Sequence, residues 1–309
     1  MGAAAHKKAL PRPPRRRRRA GRTPWFDWMV LPVLAVLAVV VGYPMVSAAI
    51  LSTERYNPVS GFPAQDVGTR NFDRLLNDDP VFWEALGNTA VYTFGSVLVA
   101  SLAGLVLALL VENLSDRWRA LRMLLLTPWA VPIIVVAFLF RYMFNDAGGV
   151  VNAILLDLGI VDRGVGWLTS GSWALFTVTL ANIWTQIPFF FLVFSAALAG
   201  IPNEVVEAAR VDRSRGLSMV MQIKMPFLRG AFLVSSLIMV VANFNDFGKI
   251  WAMTEGGPGY STTTLVVYVY RLAFGAFDLG YASAVGIVWL VLLLLFAVAY
   301  VRALQREPV

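Results

Sequence analysis

Long apolar segments alternate with short polar ones along this chain, and six of the apolar segments exceed the roughly 20 residues that an α-helix needs to cross about 30 Å of hydrocarbon. They are Phe26 to Leu51, Leu86 to Val111, Leu121 to Phe144, Trp173 to Ala199, Leu228 to Met253 and Phe277 to Val301. The pattern predicts an all-α polytopic membrane protein with six transmembrane helices, whose transmembrane domain covers residues 26–303.

Small residues recur at every fourth position of the second apolar segment. Ser96, Ala100, Gly104 and Ala108 lie on one helix face, which predicts close contact with another helix. Prolines also lie inside or beside several spans, where they predict kinks: Pro32, Pro44, Pro128, Pro132 and Pro188.

Composition supports a membrane protein and excludes several kinds of site. Of the 309 residues, 58% are hydrophobic and 15% are charged, against about 25% charged in ordinary soluble domains. The chain has no cysteine, and its one histidine is His6, near the N-terminus. Thiolate metal sites, cysteine nucleophiles and histidine-based sites inside the membrane are therefore excluded. We expect this chain to bind no metal and no cofactor.

A basic tail, residues 1–25, precedes the first span. It contains the run RRRRR from Arg15 to Arg19 among several prolines, and we expect it to be disordered because it has too few apolar side chains for a core. Such a run can bind nucleic acid or anionic lipid, but before a first span it more often sets topology. We predict no nucleic-acid partner. The following apolar run is too long for the core of a signal peptide, which predicts a retained span.

Arginine and lysine are unevenly distributed between alternate connections. They are concentrated in the N-terminal tail, near Arg117, in the loop of residues 200–227 and near Arg302. Because cytoplasmic segments carry the basic excess, we predict that both termini and this loop are cytoplasmic. The C-terminal tail would be residues 304–309, and the helices would contact lipid in the plasma (inner) membrane of a prokaryote.

The loop EVVEAARVDRSRGLSMVMQIKMP, from Glu204 to Pro226, is the least membrane-like long segment in the second half of the chain. Its first part is rich in helix formers, and the run from Arg213 to Gly216 is expected to end that helix. A second helix, LSMVMQIKM, is predicted to stop at Pro226, before the fifth span begins. The loop would then be a helix, a turn and a helix outside the bilayer, either docking a partner or resting on lipid headgroups.

Seven positions of this loop resemble the EAA loop of the inner-membrane permease subunits of binding-protein-dependent ABC importers: Glu207, Ala208, Ala209, Asp212, Gly216, Ile223 and Pro226. Other stretches resemble the carbohydrate branch, of the maltose and glycerol-phosphate type: MFNDAGGVVNAILLDLGI, IPNEVVEAARVD, NFNDFGKIWAMTEGGPGYSTTTLVVYVYRLAF and LGYASAVGIVWL. The resemblance covers most of the chain from Asp27 to Arg302. The chain departs from the family at Arg213 and Ser214, where the family usually has Gly and Ala.

The resemblance implies a permease that works with other subunits. These are a second homologous permease, two copies of a cytoplasmic ATPase and an extracytoplasmic solute-binding protein. ATP and Mg would be bound by the ATPase copies, and this chain, which has no G-x-x-x-x-G-K-[ST] phosphate loop, would not be an enzyme. The residues implied in ATPase coupling are Glu207, Ala208, Ala209, Asp212 and Gly216.

Polar side chains in the fourth and fifth spans are candidates for a solute path, because polar groups are costly inside a membrane. Amides and a carboxylate beside aromatic rings suit a sugar, which has hydroxyl edges and apolar C–H faces, and the resemblance implies the same two helices. The candidates are Thr185, Gln186, Phe189, Asn243 and Asp246. Asn243 and Asp246 are expected to share a helix face. A structural alternative is that Asp246 and Lys249 only neutralise each other.

We predict a permease subunit of an ATP-driven importer that moves a sugar or sugar derivative by alternating access, such as an oligosaccharide, a disaccharide or a glycerol-phosphate-type solute. Two other classes stay open. A secondary transporter driven by an ion gradient would usually contain two inverted halves, and no convincing internal repeat is present. A membrane-embedded enzyme is the more remote alternative, because the chain has neither a G-x-S-x-G elbow nor carboxylates at metal-binding spacing.

Overall fold

A computed structural model describes residues 24–112 and 119–305 of the chain. The predicted basic tail lies outside the described residues except for Pro24 and Trp25, which begin the first helix. Of the predicted C-terminal tail, residues 306–309 also lie outside. The chain divides into two units between Ser47 and Ala48.

The first unit contains helix α1 (Pro24–Leu37), a π-helical turn (Ala38–Gly42) and the start of α2 (Tyr43–Leu51). Pro32 lies inside α1 and does not end it. The stretch Val30–Leu51 is long and apolar enough to cross a membrane, as the sequence predicts for a first span.

The second unit is mainly helical. Its helices are α3 (Arg70–Asp73), α4 (Pro80–Ala90), α5 (Ser96–Val111), α6 (Arg119–Leu125), α7 (Thr127–Ala130), α8 (Ile133–Met143), α9 (Val150–Asp157), α10 (Gly171–Ala199), α11 (Asn203–Val211), α12 (Met225–Phe244), α13 (Gly248–Thr254), α14 (Leu265–Tyr270) and α15 (Leu279–Gln305). It also contains π-helical turns at Arg74–Asp78, Val91–Gly95, Met219–Lys224 and Arg271–Gly275. Strands β1 (Glu54–Arg55) and β2 (Gln65–Asp66) pair antiparallel.

Five helical stretches of the described residues are long and apolar enough to cross a membrane: Val30–Leu51, Pro80–Val111, Gly171–Ala199, Met219–Phe244 and Leu279–Gln305. The predicted third span is different, because it consists of the three short helices α6, α7 and α8. The backbone is extended at Val131, with φ −80° and ψ 130°. A proline disfavours the helical conformation of the residue before it, so Pro132 explains this break. The sequence predicts kinks at Pro128 and Pro132 within the span from Leu121 to Phe144, and the structure shows a full break there between separate helices.

Both predicted boundaries of the fifth span were wrong. The helix begins at Leu217 and continues through Pro226 without a stop, so the second loop helix and the fifth span are one element. The π-helical turn directly before Pro226 changes the hydrogen-bond pattern where proline has no N–H to donate. This element ends at Phe244, and α13 is a separate short helix.

Helix α10 lies at the centre of the second unit, with α5 and α12 packed against it. The small-residue face of α5 makes the close contact that the sequence predicts, because Ser96, Ala100, Gly104 and Ala108 are all buried. A Cβ placed on Gly104 would lie 2.6 Å from the Cβ of Phe190. Glycine at this position therefore lets the two helices approach.

A buried carboxylate joins three helices of the second unit. Asp79 caps α4 by accepting backbone hydrogen bonds from Val81 (2.9 Å) and Phe82 (3.1 Å). Its other oxygen accepts the hydroxyl hydrogens of Tyr268, on α14, and Tyr281, on α15. These contacts hold α4, α14 and α15 together around a shared apolar core.

Candidate functional site

A cavity of about 530 Å³ lies where α10, the end of α12 and the broken third segment meet. Its lining includes all five residues that the sequence analysis places on a solute path: Thr185, Gln186, Phe189, Asn243 and Asp246. Trp129, from α7, and Asn245 also line it and are exposed, so the cavity opens at the surface of the chain. The fold brings together residues that are up to about 120 positions apart in the sequence.

Buried amides form a hydrogen-bond network at the wall of this cavity. Asn243 Oδ1 accepts from Asn182 Nδ2 at 3.1 Å and from Gln186 Nε2 at 2.6 Å. Asn182 Nδ2 also donates to Ser96 Oγ at 2.9 Å, and Asn243 Nδ2 donates to the carbonyl of Thr93 at 3.4 Å. The network ties α5, α10 and α12 together beside the cavity.

Two amide oxygens of the network have no hydrogen-bond partner among the described residues. They are Asn182 Oδ1 and Gln186 Oε1, and both atoms are buried. Asn243 Oδ1 takes an N–H from each of these two amides and leaves their oxygens available as acceptors. Because a buried unpaired acceptor is costly, the cavity wall is suited to a ligand or water that donates hydrogen bonds.

Asp246 lies in the break between α12 and α13, so the expectation that it shares a helix face with Asn243 was wrong. Its Oδ2 atom lies 2.5 Å from Lys249 Nζ and accepts a 2.6 Å hydrogen bond from the hydroxyl of Tyr92. Both charged side chains are largely buried, with 10% of Asp246 and 8% of Lys249 exposed. The structure thus contains the mutual neutralisation that the sequence offered as an alternative, and it places this pair on the cavity wall.

The remaining lining supplies apolar and aromatic surface. Phe189 and Trp129 line the cavity, as does Phe247, whose ring stacks on Trp251 with centroids 5.3 Å apart. The hydroxyl of Thr185 donates to the carbonyl of Asn182 at 2.8 Å, which leaves its oxygen as an acceptor. Amide, hydroxyl and aromatic groups therefore face one space.

Sequence analysis missed three contributors to this site. Asn182 lies four residues before Gln186, and this helical spacing was a usable signal. Tyr92 lies 154 positions from Asp246, and no local pattern connects them. Trp129 lines the cavity two residues before the break at Val131, and the apolar pattern gave no sign of this position.

The predicted coupling residues lie on or directly after α11. Glu207, Ala208, Asp212 and Gly216 are exposed. Ala209 is different, because it is only 6% exposed and packs inward. Of the two alanines, only Ala208 can therefore leave a low outer surface for a partner.

Two apolar side chains near these residues are strongly exposed. Val211, the last residue of α11, is 82% exposed, and Leu217, which begins the next helix, is 76% exposed. Neither was singled out from the sequence. Together with Glu207 and Ala208 they give the outer surface of this segment both charged and apolar character.

Helix α11 ends in a Schellman motif. The N–H of Ser214 donates to the carbonyl of Ala209 at 2.9 Å, and the N–H of Arg213 donates to the carbonyl of Arg210 at 3.1 Å. Arg213 adopts the left-handed conformation, with φ 62°, which glycine usually occupies at this position. The turn therefore forms despite the departure from the family pattern, at an energetic cost because arginine has a Cβ.

One continuous helix links this turn to the cavity. It runs from Leu217 to Phe244, a length of about 40 Å, and its last turn carries Asn243. Near its start, Lys224 Nζ forms an ion pair with Glu112, which follows α5. A displacement of α11 would therefore act on both α12 and α5.

Among residues 24–112 and 119–305, no group of three or more His, Cys, Asp or Glu side chains could hold a metal ion. The site is thus built from amides, hydroxyls, aromatic rings and one ion pair.

Comparison with known proteins agrees with this geometry. Residues 100–307 match the family model described as "Binding-protein-dependent transport system inner membrane component". The sulfoquinovosyl glycerol transport system permease protein SmoG of Agrobacterium fabrum is 33% identical over 90% of each chain. The trehalose/maltose transport system permease protein MalF of Thermococcus litoralis is 31% identical over 89% of this chain and 91% of its own.

A solved transporter structure also matches this chain over most of its length. A chain from the crystal structure of a bacterial alginate ABC transporter, in complex with alginate pentasaccharide-bound periplasmic protein, superimposes with a TM-score of 0.76. It is 25% identical, and the match covers 92% of this chain and 96% of that one. With its all-α fold, its apolar spans and this match over two thirds of its length, the chain belongs to the inner membrane components of binding-protein-dependent transport systems.

Proposed function

We propose that this chain is a permease subunit of an ATP-driven importer that moves a sugar or sugar derivative across the inner membrane by alternating access. The observation that carries the proposal is the polar cavity between α10 and α12, together with the continuous helix that joins this cavity to α11. The helix from Leu217 would thus connect the solute site to α11, the segment that would dock a partner.

The chemistry of the cavity supports a sugar as the solute. The acceptor oxygens of Asn182 and Gln186 suit hydroxyl donors, and the rings of Phe189 and Trp129 suit the apolar C–H faces of a pyranose. Relatives named for trehalose/maltose transport and for alginate transport agree with this class of solute. The five path residues would line the site in the membrane.

The energy would come from another chain. This chain has no G-x-x-x-x-G-K-[ST] loop, so ATP and Mg would be bound by two copies of a cytoplasmic ATPase. The surface of α11 that carries Glu207, Ala208 and Val211 would dock on one copy. Closure of the ATPase on ATP would move α11, and the helix from Leu217 would transmit that motion to the cavity.

The open side of the cavity, at Trp129 and Asn245, would be completed by a second homologous permease. The excess of basic residues would place α11 and both termini in the cytoplasm. The connections that contain β1, α9 and the loop before α14 would then face outward, where an extracytoplasmic binding protein would deliver the solute.

Co-purification and ATPase activity test this function. The chain would be isolated through a C-terminal tag from native membranes in mild detergent, as wild type, as Glu207→Lys and as Asp157→Lys. Glu207 is exposed on α11, whereas Asp157 is an exposed carboxylate on α9, outside the proposed docking surface. We expect an ATPase and a second permease with the wild type and with Asp157→Lys, and loss of the ATPase with Glu207→Lys.

Uptake into proteoliposomes separates this function from secondary transport. With the binding protein on the opposite side, sugar uptake should require ATP on the side of the membrane where the ATPase lies. It should be independent of an imposed ion gradient. A chain that purifies alone and takes up solute only along an ion gradient would show that the importer assignment is wrong.

A further inference from the structure

The charge of the cavity is set by a single pair of side chains. Among the described residues that line it, only Asp246 and Lys249 carry charge. Asp246 Oδ2 and Lys249 Nζ are 2.5 Å apart, so the two charges cancel and this wall of the cavity is neutral as a whole.

Several contacts keep this pair together. The hydroxyl of Tyr92, a fully buried residue, donates to the same carboxylate oxygen at 2.6 Å. Lys249 is 6% exposed as a residue. Separating two largely buried charges is costly, because each would be left unpaired in a medium of low dielectric constant. Asp246 therefore keeps the ammonium of Lys249 occupied.

A second feature of the cavity wall favours a ligand that donates hydrogen bonds. The buried oxygens Asn182 Oδ1 and Gln186 Oε1 lack a hydrogen-bond donor among the described residues. A hydroxyl group can donate to them. A carboxylate, phosphate or sulfonate can only accept hydrogen bonds, so it could not satisfy these two oxygens.

From these two observations we infer that the cavity selects an uncharged, polyhydroxylated solute over an anionic one, and that Asp246 determines this specificity by holding Lys249. The inference rests on the proposed sugar-import function and narrows its solute class. An anionic sugar would have to displace Asp246 from Lys249, leaving a buried carboxylate with Tyr92 alone. An uncharged sugar leaves the pair intact and hydrogen-bonds to the amide oxygens.

Equilibrium binding to the intact complex tests this inference. The chain with its co-purified subunits would be placed in lipid nanodiscs, without the binding protein, so that only the membrane site is measured. The probes are maltose, trehalose and lactose, each paired with the same disaccharide carrying a carboxylate in place of one C6 hydroxymethyl group. The quantity compared is the dissociation constant of the carboxylate divided by that of the uncharged sugar of the same pair.

In the wild type, we expect the uncharged member of a pair to bind about tenfold more tightly, equivalent to about 1.4 kcal/mol. Asp246→Asn keeps the shape of the side chain but frees the lysine charge, so the ratio should fall to near one or invert. Asp246→Asn combined with Lys249→Gln removes both charges and should restore the preference for the uncharged sugar. Asp157→Asn removes an exposed carboxylate on α9 and should leave the ratio unchanged.

Lys249→Gln gives an independent test if Asp246→Asn does not yield a folded complex. It leaves Asp246 charged, so the preference for the uncharged sugar should increase. Equal or tighter binding of the carboxylates by the wild type would overturn the inference, as would a ratio that neither single variant changes. If none of the six sugars binds, the inference fails, whereas ATP-dependent sugar uptake with the binding protein would still support the proposed function. Loss of the ATPase from the wild-type complex would instead contradict the importer function itself.

Discussion

Gln186 Nε2 donates a 2.6 Å hydrogen bond to Asn243 Oδ1, and this contact joins the middle of α10 to the last turn of α12 inside the membrane domain. Both residues are buried, with 6% and 4% of their surfaces exposed. The same Asn243 oxygen also accepts from Asn182, so one atom holds two amides of α10. Asn243 is therefore the central residue of the network at the cavity wall.

Replacement of Asn243 should destabilise the protein more than replacement of Gln186. Asn243→Ala leaves Gln186 Nε2 without its acceptor, at a cost of about 1–3 kcal/mol, and leaves Asn182 Nδ2 with only Ser96 Oγ. Gln186→Ala instead removes one donor from an oxygen that keeps another. The midpoint of thermal unfolding in detergent measures the difference. Asn245→Ala is the control, because Asn245 is exposed and its side chain donates to the carbonyl of Val241, one turn earlier, and not to the buried network. Equal losses for Asn243→Ala and Gln186→Ala would contradict the shared-acceptor role.

The contact between α5 and α10 predicts that Gly104 does not tolerate a side chain. A Cβ there would lie 2.6 Å from the Cβ of Phe190 and 2.8 Å from the backbone nitrogen of Phe191. Gly104→Ala should lower the free energy of unfolding by about 1–3 kcal/mol, because the helices must move apart. Gly87→Ala is the matched control in α4, since no atom lies within 4 Å of its Cβ position. That variant should be neutral or gain up to about 1 kcal/mol from helix propensity.

The left-handed turn after α11 predicts a stabilising substitution. Arg213→Gly removes the strain of a Cβ at φ 62°, worth about 1–2 kcal/mol, and loses about 0.5–1 kcal/mol through the greater backbone freedom of glycine. The net effect should be stabilising, measured by the protection of the amides of α11 in hydrogen exchange. Arg215→Gly is the control, because Arg215 does not have a positive φ and should lose stability. Lower protection in Arg213→Gly would show that the arginine side chain holds the turn through its own contacts.

The ion pair between Lys224 and Glu112 predicts a charge-reversal rescue. The two side chains are 11% and 26% exposed, so Lys224→Glu should lose the pair and add repulsion, at a cost of about 1 kcal/mol. Lys224→Glu combined with Glu112→Lys should recover most of the stability. In the complex, the single variant should also lower the solute stimulation of ATPase activity, because α11 would then act on α5 less directly. A double variant that is no better than the single one would mean that the partners are not coupled.

Much of the fold follows from local sequence patterns. The apolar segments predict where long helices lie, because backbone groups in a membrane must be paired within the helix. The four-residue repeat of Ser96, Ala100, Gly104 and Ala108 predicts a buried face, because helical geometry places these positions in one row. The end of α11 near Arg213 follows from the loss of helix-forming residues. Each of these features depends on neighbours within a few residues.

The sequence by itself thus determined the all-α membrane class, most helix positions and the two helices that carry the polar path. Tertiary structure alone decided which side chains meet. Pro132 gave a local signal for the break at Val131, but hydrophobic periodicity alone does not distinguish a kinked helix from a broken one. The position of Trp129 on the cavity wall was not predictable from either signal. Nor could hydrophobic periodicity place Tyr92 on Asp246, 154 positions away. Such contacts form only when separate helices pack, because the hydrogen bonds and charges that link them depend on distances in space.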